Sequence, residues 1–399
     1  MRVLHVIPDL NPEAGGPSRA IPELCRALAE SGTEVTLYST CQQGKAMTID
    51  PERAPYEVVL FKSPAGLPGA AWKLSKQIAA DSARFALVHI HSLWNPVATL
   101  SALGARRARL PYVVSPRGML DKVCLDRRRA LKRVYSALLE KRTVEGASLL
   151  HFLNEREANS SRVEWFRFPK HFVAPNGIGL IPDAVERGAF RRRFPDLKDR
   201  QLMLFLGRLH PIKGLDLQLE ALAKLVKNNP RLMWILIGPD GGEWQRLQRR
   251  IQGRGLEGHV RWLGPMMGHE RLTALADADV LLQTSFYECH SITITEAMAV
   301  GTPLVISDTV NRPEVDRVGA GRVVSRDSDE LVGAIEEILN SPARAQLMRA
   351  AGRRYATRYM AWSRIADDVN AAYREIVNGQ PMISNSPQRG ETFIATTSF

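Results

Sequence analysis

The stretch Ser285 to Ser307 (SFYECHSITITEAMAVGTPLVIS) constrains the fold more tightly than any other. An apolar run, Val280-Leu281-Leu282, leads into it, and the string then reads as strand end, loop, short helix, glycine stop and strand. Ser291 is placed to cap the helix, its hydroxyl accepting a hydrogen bond from a free N–H of the first turn. Gly301 suits the left-handed residue that closes a helix, and Pro303 prevents continuation. Two carboxylates bracket the unit, Glu288 in the loop and Glu296 inside the helix. A helix N-terminus has unpaired N–H groups and a positive dipole end, so this loop presents an anion site. A carboxylate on each side of that site can accept hydrogen bonds from sugar hydroxyls. The plainer reading is a βαβ unit with solvated glutamates. The functional one is recognition of a sugar attached to a phosphate.

The same rhythm of strand, loop and helix runs through the chain, as a parallel doubly wound sheet requires. Arg2 to Ile7 reads as a first buried strand, followed by a loop holding Gly15-Gly16 and a helix over about Ser18 to Ser31. Val35 to Tyr38 and Val58 to Phe61 are strands, with a loop over Gln42 to Pro55. Leu87 to His91 and Tyr112 to Val114 also read as strands, and their carboxyl ends carry His91 and Arg117. Ligands of open α/β sheets bind outside such ends. Residues 180–200, with Pro182, Pro195 and many charges, read as a linker. A second series then begins at Leu202 to Leu206, whose strand ends in a loop carrying Arg208 and Lys213. Residues 328–358 read as helix, Tyr359 to Ile376 as a final amphipathic helix, and 378–399 as a polar, disordered tail.

A length of 399 residues suits two domains. The four cysteines are far apart, which argues against a zinc site or a disulfide framework and fits a reducing compartment. Neither a secretory leader nor an apolar run long enough to span a bilayer is apparent. The formal charge of +12 favours anionic partners, and it is uneven. Residues 1–180 hold 25 Lys/Arg against 16 Asp/Glu, the remainder 29 against 26.

Glu288 and Glu296, followed by Ala297-Met298-Ala299, Gly301 and Pro303-Leu304-Val305, resemble the donor-site signature of the family 4 retaining glycosyltransferases. Gly207-Arg208-Leu209 with Lys213-Gly214 resembles that family's second signature, and Pro175-Asn176-Gly177-Ile178 its turn at the domain junction. The resemblance covers about residues 1–378. It implies the GT-B fold: two Rossmann-like domains facing each other across a cleft, 1–180 on the acceptor side and 201–358 on the donor side. The linker would be 181–200, and the helix at 359–377 would cross back to the first domain. It implies a nucleoside diphosphate sugar as donor, an acceptor hydroxyl on a glycan or lipid-linked chain, and a role in bacterial surface-glycan or exopolysaccharide assembly.

Carried onto this chain, the resemblance makes Arg208 and Lys213 diphosphate clamps, and places Gly16 against the donor diphosphate. Glu288 would bind the donor sugar and Glu296 the ribose. His290, Ser291 and Ile292 would line the donor, with Gly238 and Leu263 as neighbours of base and ribose. His91 and Arg117 fall on the acceptor side. Relatives place a histidine where this chain has Arg117, which cannot act as a general base because it does not lose its proton, but can stabilise a phosphate or bind an anionic acceptor. Relatives also have Gly-Phe-Gly after the first glutamate, where this chain has Cys289-His290-Ser291. No Asp-x-Asp string suggests a metal site, so no metal and no cofactor are expected.

The segment Asp126 to Arg142 places Leu131, Val134, Tyr135, Leu138 and Leu139 on one face, with Arg127, Arg128, Arg129, Lys132 and Arg133 on others. It reads either as a solvated helix packed on the core or as a contact with an anionic membrane, which would make the enzyme cytoplasmic and peripheral. Two other functions fit parts of the sequence: a hydrolysing nucleotide-sugar epimerase on the same fold, and a non-catalytic binder of polyanions. No nucleic-acid motif supports the latter.

Overall fold

The computed structural model describes residues 1–12, 15–41, 47–62, 72–161, 164–179 and 185–379. The chain forms two compact units, Met1–Gly179 with the C-terminal helix from Trp362, and Leu180–Ala361. Residues 380–399, most of the stretch read as a tail, lie outside the described residues, as do 42–46 of the Gln42 to Pro55 loop.

The first unit contains β1 (Arg2–Ile7), α1 (Gly16–Glu30), β2 (Glu34–Cys41), β3 (Glu57–Lys62), α2 (Trp72–Ala80), β4 (Leu87–His91), α3 (Pro96–Arg107) and β5 (Tyr112–Ser115). It continues with α4 (Lys122–Asp126), α5 (Arg129–Tyr135), α6 (Lys141–Glu145), β6 (Leu149–Phe152), α7 (Glu155–Ser160) and β7 (His171–Val173). Its strands form one parallel sheet in the order β3-β2-β1-β4-β5-β6-β7. Strand alternation divides the side chains between two faces. Leu4, Val6, Val88 and Ile90 join the apolar core with Leu74 and Ile78 of α2 and Val97 of α3. His5, His89 and His91 take the other parity.

The second unit contains α8 (Ala189–Arg193), β8 (Gln201–Leu206), α9 (Leu215–Leu225), β9 (Leu232–Ile237), α10 (Trp244–Gln252), β10 (Val260–Trp262), α11 (Gly268–Asp277) and β11 (Val280–Gln283). It closes with α12 (Ile292–Val300), β12 (Leu304–Ser307), α13 (Glu314–Arg317), β13 (Gly321–Val324), α14 (Ser328–Leu339) and α15 (Pro342–Tyr359). The parallel order is β10-β9-β8-β11-β12-β13. The last helix, α16 (Trp362–Asn378), belongs to the first unit. There Asn370 accepts from Thr33 Oγ1 at 2.8 Å and donates to Ser31 Oγ at 2.9 Å.

Three readings of the sequence change. The described part of the linker is not a spacer: α8 docks on the second unit through buried Phe190. Asp277 accepts from the Gly188 and Arg191 amides, and Arg191 binds Asp279 at 3.0 Å. The helix expected over 328–358 is two helices, because Ser341 caps α15 through the Arg344 amide and Pro342 starts a new first turn. The segment Asp126 to Arg142 is not one amphipathic helix. Arg128 has φ 58°, and Ser136–Glu140 forms a π turn that shifts the helical phase. Buried Ser136 and Glu140 therefore face inward, while Leu131, Val134, Leu138 and Leu139 are 62, 59, 65 and 42% exposed. The apolar face, which the sequence left open between core and membrane contact, is on the outside. Among the described residues no helix is long and apolar enough to cross a membrane.

Candidate active site

In the second unit the order of strands reverses between β8 and β11, and loops leaving a sheet at such a switch point frame a crevice. The loop after β8 carries Arg208 and Lys213, and the loop after β11 carries Glu288. They are stitched together by the Phe286 amide, which donates to the Ile212 carbonyl at 2.8 Å. Thr284 Oγ1 donates to the Gly214 carbonyl at 3.0 Å and accepts from Gln218 Nε2 at 2.9 Å. Gly214 has φ 64°, and a Cβ there would lie 2.3 Å from the Thr284 carbonyl oxygen. Only glycine lets the two loops meet so closely.

That approach brings together two residues 75 positions apart: Lys213 Nζ forms an ion pair with Glu288 Oε1. The Lys213 and Glu288 side chains are 21% and 15% exposed, and Ser285 Oγ donates to the same carboxylate at 2.9 Å. The intended phosphate clamp and the intended sugar-binding carboxylate thus hold each other. Arg208 is exposed on the same loop. Glu296, on the buried side of α12, forms an ion pair with Arg271 of α11.

Ser291 stands at the N-cap of α12, but its hydroxyl does not cap the helix. It donates instead to Gln283 Oε1 at 3.2 Å, because Ser291 is buried above the end of β11. The first turn is fixed from behind by Arg312, which donates to the Ser291 carbonyl at 3.1 Å and to Thr295 Oγ1 at 3.2 Å. The α12 N-terminus is held rigidly while its own serine leaves the first-turn amides to another acceptor. His290 and Ile292 flank this point, both half-buried.

Gly238 and Leu263 belong to a second stitched pair of loops. The Gly238 amide donates to the Gly264 carbonyl at 2.8 Å, Leu263 N to Leu236 O at 3.0 Å, and Trp262 Nε1 to Gly238 O at 2.9 Å. A Cβ on Gly238 would sit 1.9 Å from the Gly207 carbonyl oxygen, so this glycine permits contact with the Arg208 loop. Arg271, Arg312 and Arg326 are the residues sequence reasoning missed. Arg326 binds the Thr284 carbonyl and lies 3.6 Å over the ring of exposed Phe286. Isolated arginines outside any motif gave no signal.

The chain's two Asp-x-Asp strings are occupied structurally. Asp277 and Asp279 anchor α8 and the start of β8. Asp327 caps α14 through the Asp329 and Glu330 amides, and Asp329 pairs with Lys224 at 2.5 Å.

In the first unit Gly16 opens α1, preceded by Gly15 at φ 101°. His91 does not face solvent at its strand end. It is fully buried, with its Nε2 3.0 Å from His5 Nδ1, because its parity on β4 is that of His89. Its side chain turns into the histidine cluster and away from solvent. Arg117, at φ 53° and 8% exposed, donates to Asn176 Oδ1 at 2.8 Å and lies 3.5 Å from His91 Nδ1.

Two parallel-sheet Rossmann-like units of this build belong to the GT-B class of fold. Comparison with known proteins agrees. The first unit matches the model described as "Glycosyl transferase 4-like domain" over residues 15–177, and the second "Glycosyl transferases group 1" over 186–355. The D-inositol 3-phosphate glycosyltransferase of Jonesia denitrificans is 26% identical over 94% of this chain and 95% of its own. That of Geodermatophilus obscurus is 32% identical over 50% of this chain, and the match spans 46% of that protein, under half its length. Among solved structures, sucrose-phosphate synthase from Thermosynechococcus elongatus superposes with a TM-score of 0.76 at 20% identity, over 95% of this chain and all of that one. Anabaena HepE, solved with UDP-glucose, gives 0.72 at 19%, with the same coverage. The chain belongs to the family 4 (group 1) glycosyltransferases and is a glycosyltransferase enzyme.

Proposed function

We propose that this enzyme moves a sugar, with retention of anomeric configuration and without a metal, from a nucleoside diphosphate sugar to a hydroxyl of a glycan or lipid-linked acceptor. Surface-glycan or exopolysaccharide assembly is the role this suits. The observation that carries the reading is the Lys213–Glu288 pair at the switch point of the second unit. A diphosphate entering there displaces the carboxylate from Lys213, and Glu288 is released to accept from a sugar hydroxyl. Lys213, Arg208 and the α12 N-terminus then neutralise the departing diphosphate, the largest electrostatic demand of the reaction. The donor's own phosphate oxygen takes the acceptor proton, so no protein base is required. Glu296, held by Arg271, accepts from the ribose hydroxyls.

A thermal-shift screen of nucleoside diphosphate sugars tests the donor. A ligand at a hundred times its Kd stabilises by about 2.7 kcal/mol, which moves the second unit's midpoint by roughly 5–10 °C. No shift with any nucleotide sugar would remove the donor site. Free nucleotide and an epimerised sugar, formed without acceptor, would replace transfer by the epimerase reading. Transfer is expected to persist in EDTA. Loss in EDTA with recovery on adding manganese would refute the metal-free mechanism.

The first unit's exposed Leu131, Val134 and Leu138, among Arg127, Arg128, Arg129 and Arg133, suit an anionic membrane surface. Apolar side chains enter the interface, and each basic residue near it contributes about 1 kcal/mol. Lys132 drops out of this set, since its ammonium is turned to the Cys124 carbonyl and the Trp94 ring. Replacing the four arginines by alanine is expected to reduce binding to phosphatidylglycerol vesicles at least tenfold, with donor hydrolysis in solution unchanged. Equal vesicle binding by the variant would end the membrane reading.

A further inference from the structure

On the face of the first sheet that carries His5 and His89, four histidines and one tyrosine are buried together. His5 of β1 stands in register with His89 of β4, with His91 two residues on and His151 on β6. Tyr373 of α16 completes the group, and every one of these side chains is at most 1% exposed. The contacts run in one line. Arg117 Nη2 lies 3.5 Å from His91 Nδ1, and His91 Nε2 3.0 Å from His5 Nδ1. His5 Nε2 is 3.2 Å from the Tyr373 oxygen, which is 2.7 Å from His89 Nδ1. His89 Nε2 is 3.4 Å from His151 Nδ1, and His151 Nε2 is 2.8 Å from the Ala174 carbonyl oxygen.

The two ends of this line fix every proton in it. A guanidinium can only donate and a carbonyl oxygen can only accept. With each imidazole neutral, one arrangement satisfies all six contacts: every histidine carries its proton on Nε2, and the Tyr373 hydroxyl donates to His89 while accepting from His5. One added proton would set two donors head to head. His5, His89 and His91 also have the identity of metal ligands, with their nitrogens within 4.8 Å of one another. A divalent ion there would have no carboxylate partner in the cluster and would lie beside the Arg117 charge, both unfavourable in a fully buried site.

We propose that this line is a proton-ordered relay that positions Arg117, with Tyr373 as the positioning residue that couples α16 to it. Arg117 is held at one nitrogen by Asn176 and at another by His91, on a left-handed residue where the backbone alone does not favour that placement. The relay gives the guanidinium one orientation, and it is complete only when α16 is docked. The consequence for catalysis rests on the reading of Arg117 as the contact for an anionic acceptor or phosphate. The relay itself does not.

The test uses the full chain at pH 7.5 and nitrogen-15 NMR of its imidazole and guanidinium groups. Wild type is expected to show His5, His89, His91 and His151 neutral with the proton on Nε2. Tyr373→Phe keeps the ring and removes the central link, so the His5, His89 and His91 signals and the Arg117 Nη signals should all shift. Phenylglyoxal modification of Arg117, read by mass spectrometry, should accelerate at least tenfold. Thr33→Val, which removes one hydrogen bond to Asn370 while α16 stays docked, should leave these signals in place. An Nδ1-protonated or charged imidazole in wild type, stoichiometric zinc bound by the cluster, or unchanged Arg117 signals in Tyr373→Phe would overturn the relay. The wild-type spectrum decides the proton order even if the variant does not fold. Normal transfer by Arg117→Lys with the relay spectrum intact would instead refute the catalytic reading of Arg117 alone.

Discussion

Acidification from pH 7 to pH 5.5 is expected to destabilise the first unit by about 3–4 kcal/mol, a large fraction of the 5–15 kcal/mol that holds a typical domain. The cause is the buried histidine cluster. Burial, with the Arg117 charge adding to it, holds His5 and His151 down at about 3. His89 and His91 are held well below the usual imidazole range, first by burial and then by neighbouring imidazoles and Arg117. The groups facing them are Tyr373 of α16 and Cys25 of α1, and burial pushes both up, so neither supplies a negative charge. The sign follows directly. In the unfolded chain each histidine takes a proton near pH 6.5, whereas the folded chain does not, so the unfolded state binds more protons as the pH falls. Stability is full well above pH 6.5, the unfolded value, and is lost progressively as the pH falls through it toward the lower folded ones. Four such groups cost about 5 kcal/mol between pH 7 and 5.5.

Glu140 acts in the opposite direction. Burial raises it to about 7, although it accepts from the Trp94 amide at 2.7 Å and from Thr99 Oγ1 at 3.3 Å. It gains a proton in the folded state over the same interval, and returns about 1–2 kcal/mol. Hydrogen exchange of β1, β4 and β6 peptides, read at both pH values and corrected for intrinsic rates, measures the balance. Equal stability of β4 at pH 7.5 and 5.5 would show that the imidazoles are not held neutral.

The second large effect concerns Lys213 and Glu288. Lys213→Ala removes the cation that the proposed mechanism aims at the leaving diphosphate, and is expected to lower kcat/KM by about 10²–10³-fold, the range for loss of one preorganised charge stabiliser. Glu288→Ala should fall in the same range, with the loss mainly in kcat if its hydrogen bond to the sugar strengthens in the transition state. Stability separates this from simple misfolding. Each single truncation leaves a mostly buried charge without its ion-pair partner, at a cost of roughly 1–3 kcal/mol. The double variant removes both charges and should be more stable than the sum of the singles predicts. Transfer within threefold of wild type in either single variant would show that the pair is a structural ion pair and not the donor site.

Much of this was legible in the sequence because it is local. The Val280-Leu281-Leu282 run and the Ser285 to Ser307 string yield β11, α12 and β12 with Gly301 in the left-handed conformation at φ 79°, since strand runs, a short helix and a glycine stop are set by neighbours in the chain. The Lys213-Gly214 dipeptide marked a tight loop for the same reason. Position along the chain also placed Glu288 and Lys213 at strand carboxyl ends.

What the sequence could not decide was which side chains spend their charge on one another. Lys213 reaches Glu288 only because β8 and β11 are neighbours at the reversal of strand order, and Gly214 lets their loops touch. The Ser291 hydroxyl turns to Gln283, and Arg312 takes over the back of α12, through contacts that no local pattern encodes. In Asp126 to Arg142 the 3.6-residue period put Leu131 and Leu138 on one face, open to either the core or a membrane. A left-handed Arg128 and a π turn at Ser136–Glu140 break that helix, and both leucines are exposed. The alternation His89-Ile90-His91 was visible, but its meaning was not, because His5, His151 and Tyr373 join it from three distant segments. Sequence alone determined the fold class, most of the elements and the placing of Lys213 and Glu288 at strand carboxyl ends. Tertiary structure decided their pairing and protonation, because both depend on what burial brings within a few ångströms.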